Sequence, residues 1–98
     1  MKTKIVNVAI QVLPSSKSRH PYAIVDAAIA EIQKSGLTYR VCPFETVVEG
    51  PYEEVISLIE RVQNACYADG ADSMLVYVKI QSNAEGKVTI GDKMDKYD

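Results

Sequence analysis

A short segment at positions 43–55, PFETVVEGPYEEV, places two carboxylates and one hydroxyl in a stretch that otherwise has strand character. Glu45 and Glu49 are four positions apart, which in an extended chain separates them by about 13 Å. That distance is too large for the carboxylate pair of a glycosidase. A single carboxylate can instead bind a cationic ligand in a partly desolvated pocket, or pair with Arg40 or Lys79 across a sheet.

Thr46 lies between the two glutamates and supplies the hydroxyl of the segment. Alternation along the strand groups it with Phe44 and Val48 on the face that helices should cover, and it groups the glutamates with Val47 on the opposite face. A buried hydroxyl costs about 1 to 3 kcal/mol unless it finds a hydrogen bond. Thr46 is therefore either a core residue chosen for its β-branched shape or a contact to a bound ligand.

The remaining reactive residue types do not form a recognisable catalytic or metal-binding group. His20, the only histidine, precedes Pro21 and has no partner at an interpretable spacing, so we expect it at a helix start. Cys42 and Cys66 are 24 residues apart with no CxxC motif, which predicts two free thiols rather than a zinc site. Glycine-rich phosphate loops and HExxH motifs are absent. We therefore expect no enzymatic activity, no metal and no cofactor.

Length and charge limit the function classes further. Ninety-eight residues are enough for one domain, at positions 1–98 with a charged tail at 87–98, and leave no room for a second core. The net charge is −2 and the eleven basic residues are scattered, which argues against binding to nucleic acid or to a membrane surface. Asn7 and Gln11 interrupt the N-terminal apolar segment, which predicts a strand rather than a secretion signal. We expect a cytoplasmic protein.

Six elements of secondary structure must position these side chains. Period-two alternation predicts strands at positions 4–13, 37–42, 44–49 and 73–81. Two helices are predicted, one from Pro21 to near Gly36 and one from Pro51 to near Gly70, because proline suits a first helical position and glycine a helix end. Their apolar stripes are Tyr22, Val25, Ala28, Ile29 and Ile32 in the first helix, and Val55, Leu58, Ile59, Val62 and Cys66 in the second. The tail is expected to hold one more extended or helical piece.

The order β-α-β-β-α-β predicts an α+β fold of the ferredoxin-like class, with a four-stranded antiparallel sheet and both helices on one face. The first and third strands are expected to be central, parallel neighbours, so that their C-terminal ends at Ser15 and Glu49 converge near the helix starts. The other sheet face is expected to be uncovered and to present Asn7, Ala9, Gln11, Leu75, Tyr77 and Lys79. This mixture favours self-association, with the amides of Asn7 and Gln11 bonding across a subunit interface.

Five motifs along the chain carry a resemblance to a known family. They are VAIQVLPS at 8–15, SGLTYRV at 35–41, ETVVEG at 45–50, EVISLIERV at 54–62 and KVTIGDKMDKY at 87–97. Together they span essentially the whole chain, and TVVEG is the most specific part. The chain resembles the small thiamine-binding, YkoF-like proteins, also known as the MTH1187-like, UPF0045 or DUF77 family.

The resemblance implies assembly into homodimers or homotetramers and binding of thiamine, or of its hydroxymethylpyrimidine portion, without chemistry. Some relatives carry a histidine, an arginine and a threonine where this chain has Gln63, Ser73 and Val76. The residues expected to contact the ligand are Thr46, Glu49, Ser15, Gln11, Glu45 and Tyr39. Among them, Ser15 can alternatively serve a turn, and Tyr39, like Phe44, can stack on a pyrimidine ring or simply pack.

Two other functions stand as alternatives. The first is a structural or regulatory interaction module, in which the uncovered sheet face recruits another protein and no small molecule binds. The second is a small enzyme on the same fold, which would need a histidine, arginine or aspartate positioned in a pocket. The single loop histidine makes the enzyme the weaker of the two.

Overall fold

The computed structural model describes residues 1–98 and contains four strands and three helices. In chain order these are β1 (Ile5–Ser15), α1 (Pro21–Lys34), β2 (Thr38–Val41), β3 (Thr46–Pro51), α2 (Tyr52–Ala68), β4 (Ser73–Gln81) and α3 (Ile90–Met94), followed by a 3₁₀ turn at Asp95–Tyr97. The strands form one antiparallel sheet in the order β2-β3-β1-β4, and α1 and α2 pack on one face of it. The predicted ferredoxin-like α+β fold is confirmed. No helix has the length and apolar character that a membrane span requires.

The two central strands run in opposite directions, so our expectation of parallel neighbours was wrong. Ile10 of β1 lies opposite Thr46 at the start of β3, and Asn7 lies opposite Glu49 near its end. The reason is that β2 runs in the direction of β1 after the α1 crossover, and β3 then returns through a hairpin. Glu49 and Ser15 therefore lie at opposite ends of the sheet and do not converge.

The hydrophobic core lies between the sheet and the two long helices. It is formed by alternate strand residues, one stripe of each helix and one residue between α2 and β4: Val6, Val8, Ile10, Ile24, Ala28, Ile32, Val48, Val55, Leu58, Val62, Cys66 and Ala71. The stripe predicted for α2 is confirmed, with Ile59 partly buried beside it. In α1 the buried residues are Ile24, Ala28 and Ile32, so the prediction omitted Ile24 and wrongly included Tyr22, which is 78% exposed. The Tyr22 ring instead packs edge-on against His20, with ring centres 5.0 Å apart.

Both long helices begin with hydrogen bonds to their free N–H groups. The Nδ1 atom of His20 accepts the Tyr22 N–H at 3.1 Å, which confirms that His20 marks a helix start. α2 has no side-chain cap. The N–H groups of Tyr52 and Glu53 instead donate, at 2.9 Å, to backbone carbonyls at positions 4 and 2. The N-terminal arm is therefore fixed beside the start of α2.

Gly50, in the most specific motif of the chain, has a packing role. It is buried at the end of β3. A Cβ at this position would lie 3.1 Å from Cδ2 of Leu37, the residue that leads from α1 into β2. Glycine therefore permits the close approach of these two segments.

The C-terminal segment after β4 folds back over one half of the sheet face that we expected to be uncovered. Val88 is 5% exposed, and its N–H donates to the Ile5 carbonyl at 3.1 Å. Thr89 caps α3 by accepting the Asp92 N–H at 3.0 Å, so the helical piece expected in the tail is present. The other half of this face, around Leu13, remains bare.

Candidate functional site

A cavity of about 90 Å³, which we call the hairpin cavity, lies between α1 and the turn that joins β2 to β3. Nine of its thirteen lining residues are hydrophobic. The thirteen are Ile10, Gln11 and Val12 from β1, Val25, Ala28, Ile29 and Ile32 from α1, and Val41, Cys42, Pro43, Phe44, Glu45 and Thr46 from the hairpin. Three of the six residues that we predicted as ligand contacts, Gln11, Glu45 and Thr46, therefore line the same cavity.

The hairpin cavity exists because β1 is longer than its pairing with β3. That pairing ends where Ile10 faces Thr46, whereas β1 continues beside β4 as far as Ser15. Ahead of β3 the chain turns, and the Cys42 N–H donates to the Glu45 carbonyl at 3.0 Å. No strand fills the space beside β1 beyond this turn. The apolar side chains of α1 that face this gap line a cavity instead of packing on a strand.

Thr46 is the buried polar residue of the hairpin cavity, at 6% exposure. It lies opposite Ile10 on the helix-covered face, as predicted. Its hydroxyl forms no hydrogen bond within the chain. The one side-chain polar atom that is both inaccessible to solvent and unpaired is Oδ1 of Asn7, so the Thr46 hydroxyl is accessible. A threonine hydroxyl can donate one hydrogen bond and accept two. Thr46 can therefore bind a polar group that enters the cavity.

Glu45 contributes a carboxylate to the hairpin cavity. It is 3.1 Å from the ammonium group of Lys79, with side-chain exposures of 29% for Glu45 and 74% for Lys79. Arg40, the other partner we considered, pairs instead with Asp98 through two hydrogen bonds of 2.9 and 3.0 Å. An exposed ion pair stabilises a protein by only about 0 to 1 kcal/mol. The cationic group of a ligand could therefore replace Lys79 at little cost.

Phe44 is the only phenylalanine of the chain, and it is 83% exposed although it lines the hairpin cavity. Large aromatic side chains normally contribute most when they are packed. An aromatic ring that is exposed to solvent beside a cavity can stack on a flat ligand. Gln11, which is half-buried, adds an amide that can both donate and accept.

Glu49, Ser15 and Tyr39 do not line the hairpin cavity. The Glu49 carboxylate lies on the opposite sheet face, where it accepts the Ile90 N–H at 2.6 Å. Ser15 is exposed at the far end of β1, and its carbonyl accepts the Asp72 N–H at 2.7 Å. Tyr39 lies in the edge strand β2 and is 36% exposed. The structure therefore does not bring these three residues together with Thr46.

The loop between β1 and α1 is held by its own hydrogen bonds. The Ser16 hydroxyl accepts the N–H groups of Ser18 and Arg19 and donates to the Gly70 carbonyl at 2.7 Å. Arg19 also pairs with Asp69 at 2.9 Å. Ser16 therefore has the turn role that loop serines usually have.

A second hollow, which sequence reasoning missed, lies between α3 and the sheet face opposite the long helices. Two adjoining cavities of about 290 and 320 Å³ form it and share Asn7, Val47 and Lys93. We call it the tail groove. Its remaining lining residues are Ala9, Glu45, Lys79, Ile80 and Gln81 in the first cavity, and Arg40, Cys42, Ile90 and Met94 in the second. The one sequence signal for it was the amide of Asn7 in a largely apolar strand.

The structure holds no group of three or more histidine, cysteine, aspartate or glutamate side chains close enough to bind a metal ion. Both cysteines are free. Burial, and to a smaller extent the negative charge of Asp69, raises the pKa of the Cys66 thiol, which keeps it protonated and a poor nucleophile. The hydrogen bonds that the Arg40 guanidinium donates to Asp98, followed by the negative charge of Asp98, raise the pKa of Arg40.

Comparison with known proteins gives a consistent set of relatives. The model of a family described as "Thiamine-binding protein" matches residues 8–98. The UPF0045 protein CPE1503 of Clostridium perfringens is 34% identical over 91 residues, which cover 93% of this chain and 95% of that protein.

Two solved structures resemble the chain closely. A domain of unknown function, DUF77, from Bacillus cereus superposes with a TM-score of 0.93 at 33% identity, covering 98% of this chain and 92% of that one. A candidate thiamine biosynthesis/salvage protein of Thermotoga maritima, TM0486, gives a TM-score of 0.86 at 30% identity, covering 96% of this chain and 99% of that one. The arrangement of strands and helices is therefore shared with both.

Proposed function

This chain belongs to the thiamine-binding protein family, also known as UPF0045 or DUF77, and we propose that it binds thiamine or a related hydroxymethylpyrimidine compound in the hairpin cavity. The observation that carries the proposal is the grouping of an unpaired hydroxyl, a carboxylate and an exposed aromatic ring around one apolar cavity. Thr46, Glu45 and Phe44 supply these groups.

The chemistry of thiamine matches these three groups. Its aminopyrimidine ring is flat and presents hydrogen-bond donors and acceptors along one edge, and its thiazolium ring carries a fixed positive charge. The Thr46 hydroxyl can bond the pyrimidine edge, and the Phe44 ring can stack on its face. The Glu45 carboxylate can pair with the thiazolium charge.

The size of the hairpin cavity indicates which part of the ligand enters. At about 90 Å³, it is smaller than the roughly 300 to 1,000 Å³ of pockets that enclose a whole drug-sized ligand. We therefore propose that the pyrimidine ring enters between α1 and the hairpin. The thiazolium ring then stays at the rim, where Glu45 exchanges Lys79 for the ligand.

Binding without chemistry is part of the same proposal, and the reactive groups of the chain support it. His20 is engaged as a helix cap, and the Thr46 hydroxyl forms no hydrogen bond to a base that could activate it. The buried Cys66 thiol, whose pKa is raised, does not line the hairpin cavity. Cys42 lines it, but no histidine is present there to activate the thiol.

We further propose that the protein is a cytoplasmic homo-oligomer. Leu13, Leu75 and Tyr77 lie side by side on the bare half of the open sheet face, at exposures of 44, 60 and 56%. An apolar patch of this kind is typical of a self-association surface. The two free cysteines support a reducing compartment. A protein-interaction module without a small-molecule ligand is the second candidate, and the same patch would serve it.

Calorimetric titration with thiamine tests the binding proposal. We expect saturable binding to the unmodified protein, and weakening by about tenfold in both Thr46→Val and Glu45→Gln, since one hydrogen bond or charge contact is worth about 0.5 to 1.5 kcal/mol. Thr38→Val is the matched control, because Thr38 is exposed in β2 and does not line the cavity. Its affinity should equal that of the unmodified protein.

Two outcomes would contradict different parts of this proposal. An absence of heat at millimolar thiamine would exclude thiamine as the ligand. If Thr46→Val and Glu45→Gln both left the affinity unchanged, thiamine would still be the ligand but would bind outside the hairpin cavity.

Light scattering tests the oligomer separately. Leu75→Glu should shift the protein to a monomer, whereas Tyr22→Glu, at an exposed position of α1, should not. A monomeric unmodified protein would contradict self-association and favour the interaction module.

A further inference from the structure

The Asn7 side chain has an unusual position under the C-terminal segment. It is 3% exposed, and its Nδ2 donates to the Val88 carbonyl at 3.0 Å. A carbonyl only accepts hydrogen bonds, so this contact identifies the donor atom of the amide and leaves Oδ1 as the acceptor. Oδ1 is inaccessible to solvent, and it is the one such side-chain polar atom that has no hydrogen-bond partner. Buried acceptors in folded proteins rarely lack a donor.

The surroundings of this atom have the shape and composition of a binding site. Asn7 lines both cavities of the tail groove, which together extend under α3 from β4 to β2. Val47 and Ala9 form an apolar floor beside the amide. Convergent polar groups over an apolar floor are the usual features of a ligand site.

The charges around the tail groove leave one cation without a carboxylate. Arg40 pairs with Asp98 and Lys79 pairs with Glu45. Lys93 is hydrogen-bonded only to the neutral amide oxygen of Gln81, at 2.9 Å. The Glu49 carboxylate, which accepts the Ile90 N–H beside the groove, adds a negative charge that no cation pairs with. A ligand with one negative charge therefore suits Lys93 better than a phosphate dianion does.

We propose that the tail groove is a second ligand site, for a small carboxylate that also carries an amide N–H. The ligand N–H donates to Oδ1 of Asn7 and the carboxylate pairs with Lys93. This proposal concerns a different cavity from the hairpin cavity and does not depend on which ligand binds there.

The weak attachment of the C-terminal segment explains how such a ligand reaches Oδ1 of Asn7, which is inaccessible to solvent while the segment is in place. Beyond β4 only the Val88 side chain is buried. The other ties are polar. They include those from Glu49 to the Ile90 N–H, from Lys4 to the carbonyls of Asn83 and Ala84, and from Arg40 to Asp98. Segments with few buried apolar contacts open locally at low free-energy cost. The ligand therefore enters while the segment is lifted and is covered when it closes.

Three fragments test the proposal on the ¹⁵N-labelled full chain by NMR titration. N-acetylglycine carries both groups, acetate carries only the charge, and N-methylacetamide carries only the N–H. N-acetylglycine should shift the amide signals of Asn7, Val47 and the α3 residues in a saturable way. Its affinity should exceed that of either other fragment by about tenfold or more, because two contacts are made together.

Two matched variants separate this site from general attraction of anions. Lys93→Gln removes the charge at an exposed position and should weaken N-acetylglycine binding by about tenfold. Lys96→Gln removes the same charge from the same segment outside the groove and should change nothing. Both substitutions are at exposed positions, so the test does not require a change to the buried Asn7.

Several results would overturn the proposal. Equal affinity for the three fragments would show that binding does not require both the charge and the N–H. Equal weakening in the two lysine variants would show that N-acetylglycine is attracted non-specifically by positive charge. An unchanged spectrum with all three fragments would exclude the ligand class. Asn7 signals that move with protein concentration instead of with fragment would assign the free Oδ1 to a second copy of the chain.

Discussion

Thr46 and Asn7 are the two buried polar residues of the molecule, and they lie on opposite faces of the same two central strands. Thr46 faces a small cavity between α1 and the hairpin, four of whose apolar residues belong to the core or pack on it: Ile10, Val12, Ala28 and Ile32. Asn7 lies under a terminal segment that is held mainly by polar contacts. One pair of strands can therefore support a preorganised cavity on one face and a covered groove on the other. The two regions should respond to different mutations.

The largest effect should come from charging the covered region. Asn7→Asp would replace the Nδ2 donor by a carboxylate that faces the Val88 carbonyl, and we expect a loss of about 3 kcal/mol at pH 7. Burial raises the pKa of such a carboxyl group, so the loss should be absent below the unfolded-state value near 4 and grow as the pH rises. Urea unfolding at pH 4 and pH 7 measures this difference. Asn64→Asp, at an exposed position of α2, should have little effect at either pH.

A smaller loss is expected when the apolar anchor of the C-terminal segment is shortened. Val88→Ala removes two buried methyl groups at a 5% exposed position, which should lower stability by about 1.5 kcal/mol. Hydrogen exchange of the α3 amides should accelerate by more than that of the β1 amides, because the segment would open without unfolding the sheet. Val78→Ala, at a 37% exposed position of β4, is the control. Uniform acceleration throughout the chain would show that the segment does not open by itself.

On the hairpin side, Phe44→Ala should affect binding and leave stability unchanged. The ring is 83% exposed, so its removal leaves no cavity in the core. Loss of stacking on the pyrimidine should weaken thiamine binding by about 1 kcal/mol, or roughly fivefold. Calorimetry and thermal unfolding of the same samples separate the two quantities. A large drop in unfolding temperature with unchanged affinity would contradict this account, because Phe44 would then stabilise the fold and not bind thiamine.

The smallest effect should follow Glu49→Gln, which keeps an acceptor for the Ile90 N–H but removes its charge. A neutral hydrogen bond in place of a charge-assisted one should cost about 0.5 to 1 kcal/mol of stability. Thiamine affinity should not change, because Glu49 faces away from the hairpin cavity. A clear loss of thiamine affinity would return Glu49 to the ligand site that the sequence suggested.

The elements with strong local patterns were predictable from the sequence. β4 has the predicted bounds, 73–81, because alternation and flanking polar residues defined both ends. The buried stripe of α2 followed from helical spacing. The direction of β3 relative to β1 was not predictable from alternation, because a period of two is the same in both directions. That error alone made Ser15 and Glu49 seem to converge.

The candidate sites were predictable only in part, for a related reason. The sequence identified Thr46 and Gln11, because polar residues stood out against strand patterns. It also identified Glu45, although that residue lies in the turn before β3 and not in the strand predicted at 44–49. The tail groove depends on contacts between residues about eighty positions apart, such as that of Asn7 with Val88. A single buried residue, Val88, in a charged tail gives no periodic signal. The partner of Glu49 is a backbone N–H, which any residue would supply.

The central claim is that thiamine binds on the Thr46 side of the sheet. NMR titration of the ¹⁵N-labelled protein with thiamine tests it most directly, since every backbone amide reports separately. We predict saturable shifts for the hairpin residues 41–46 and for Val25 and Ile29 of α1, with the α3 amides unaffected. Shifts confined to α3 and Asn7, or an unchanged spectrum at millimolar thiamine, would contradict it.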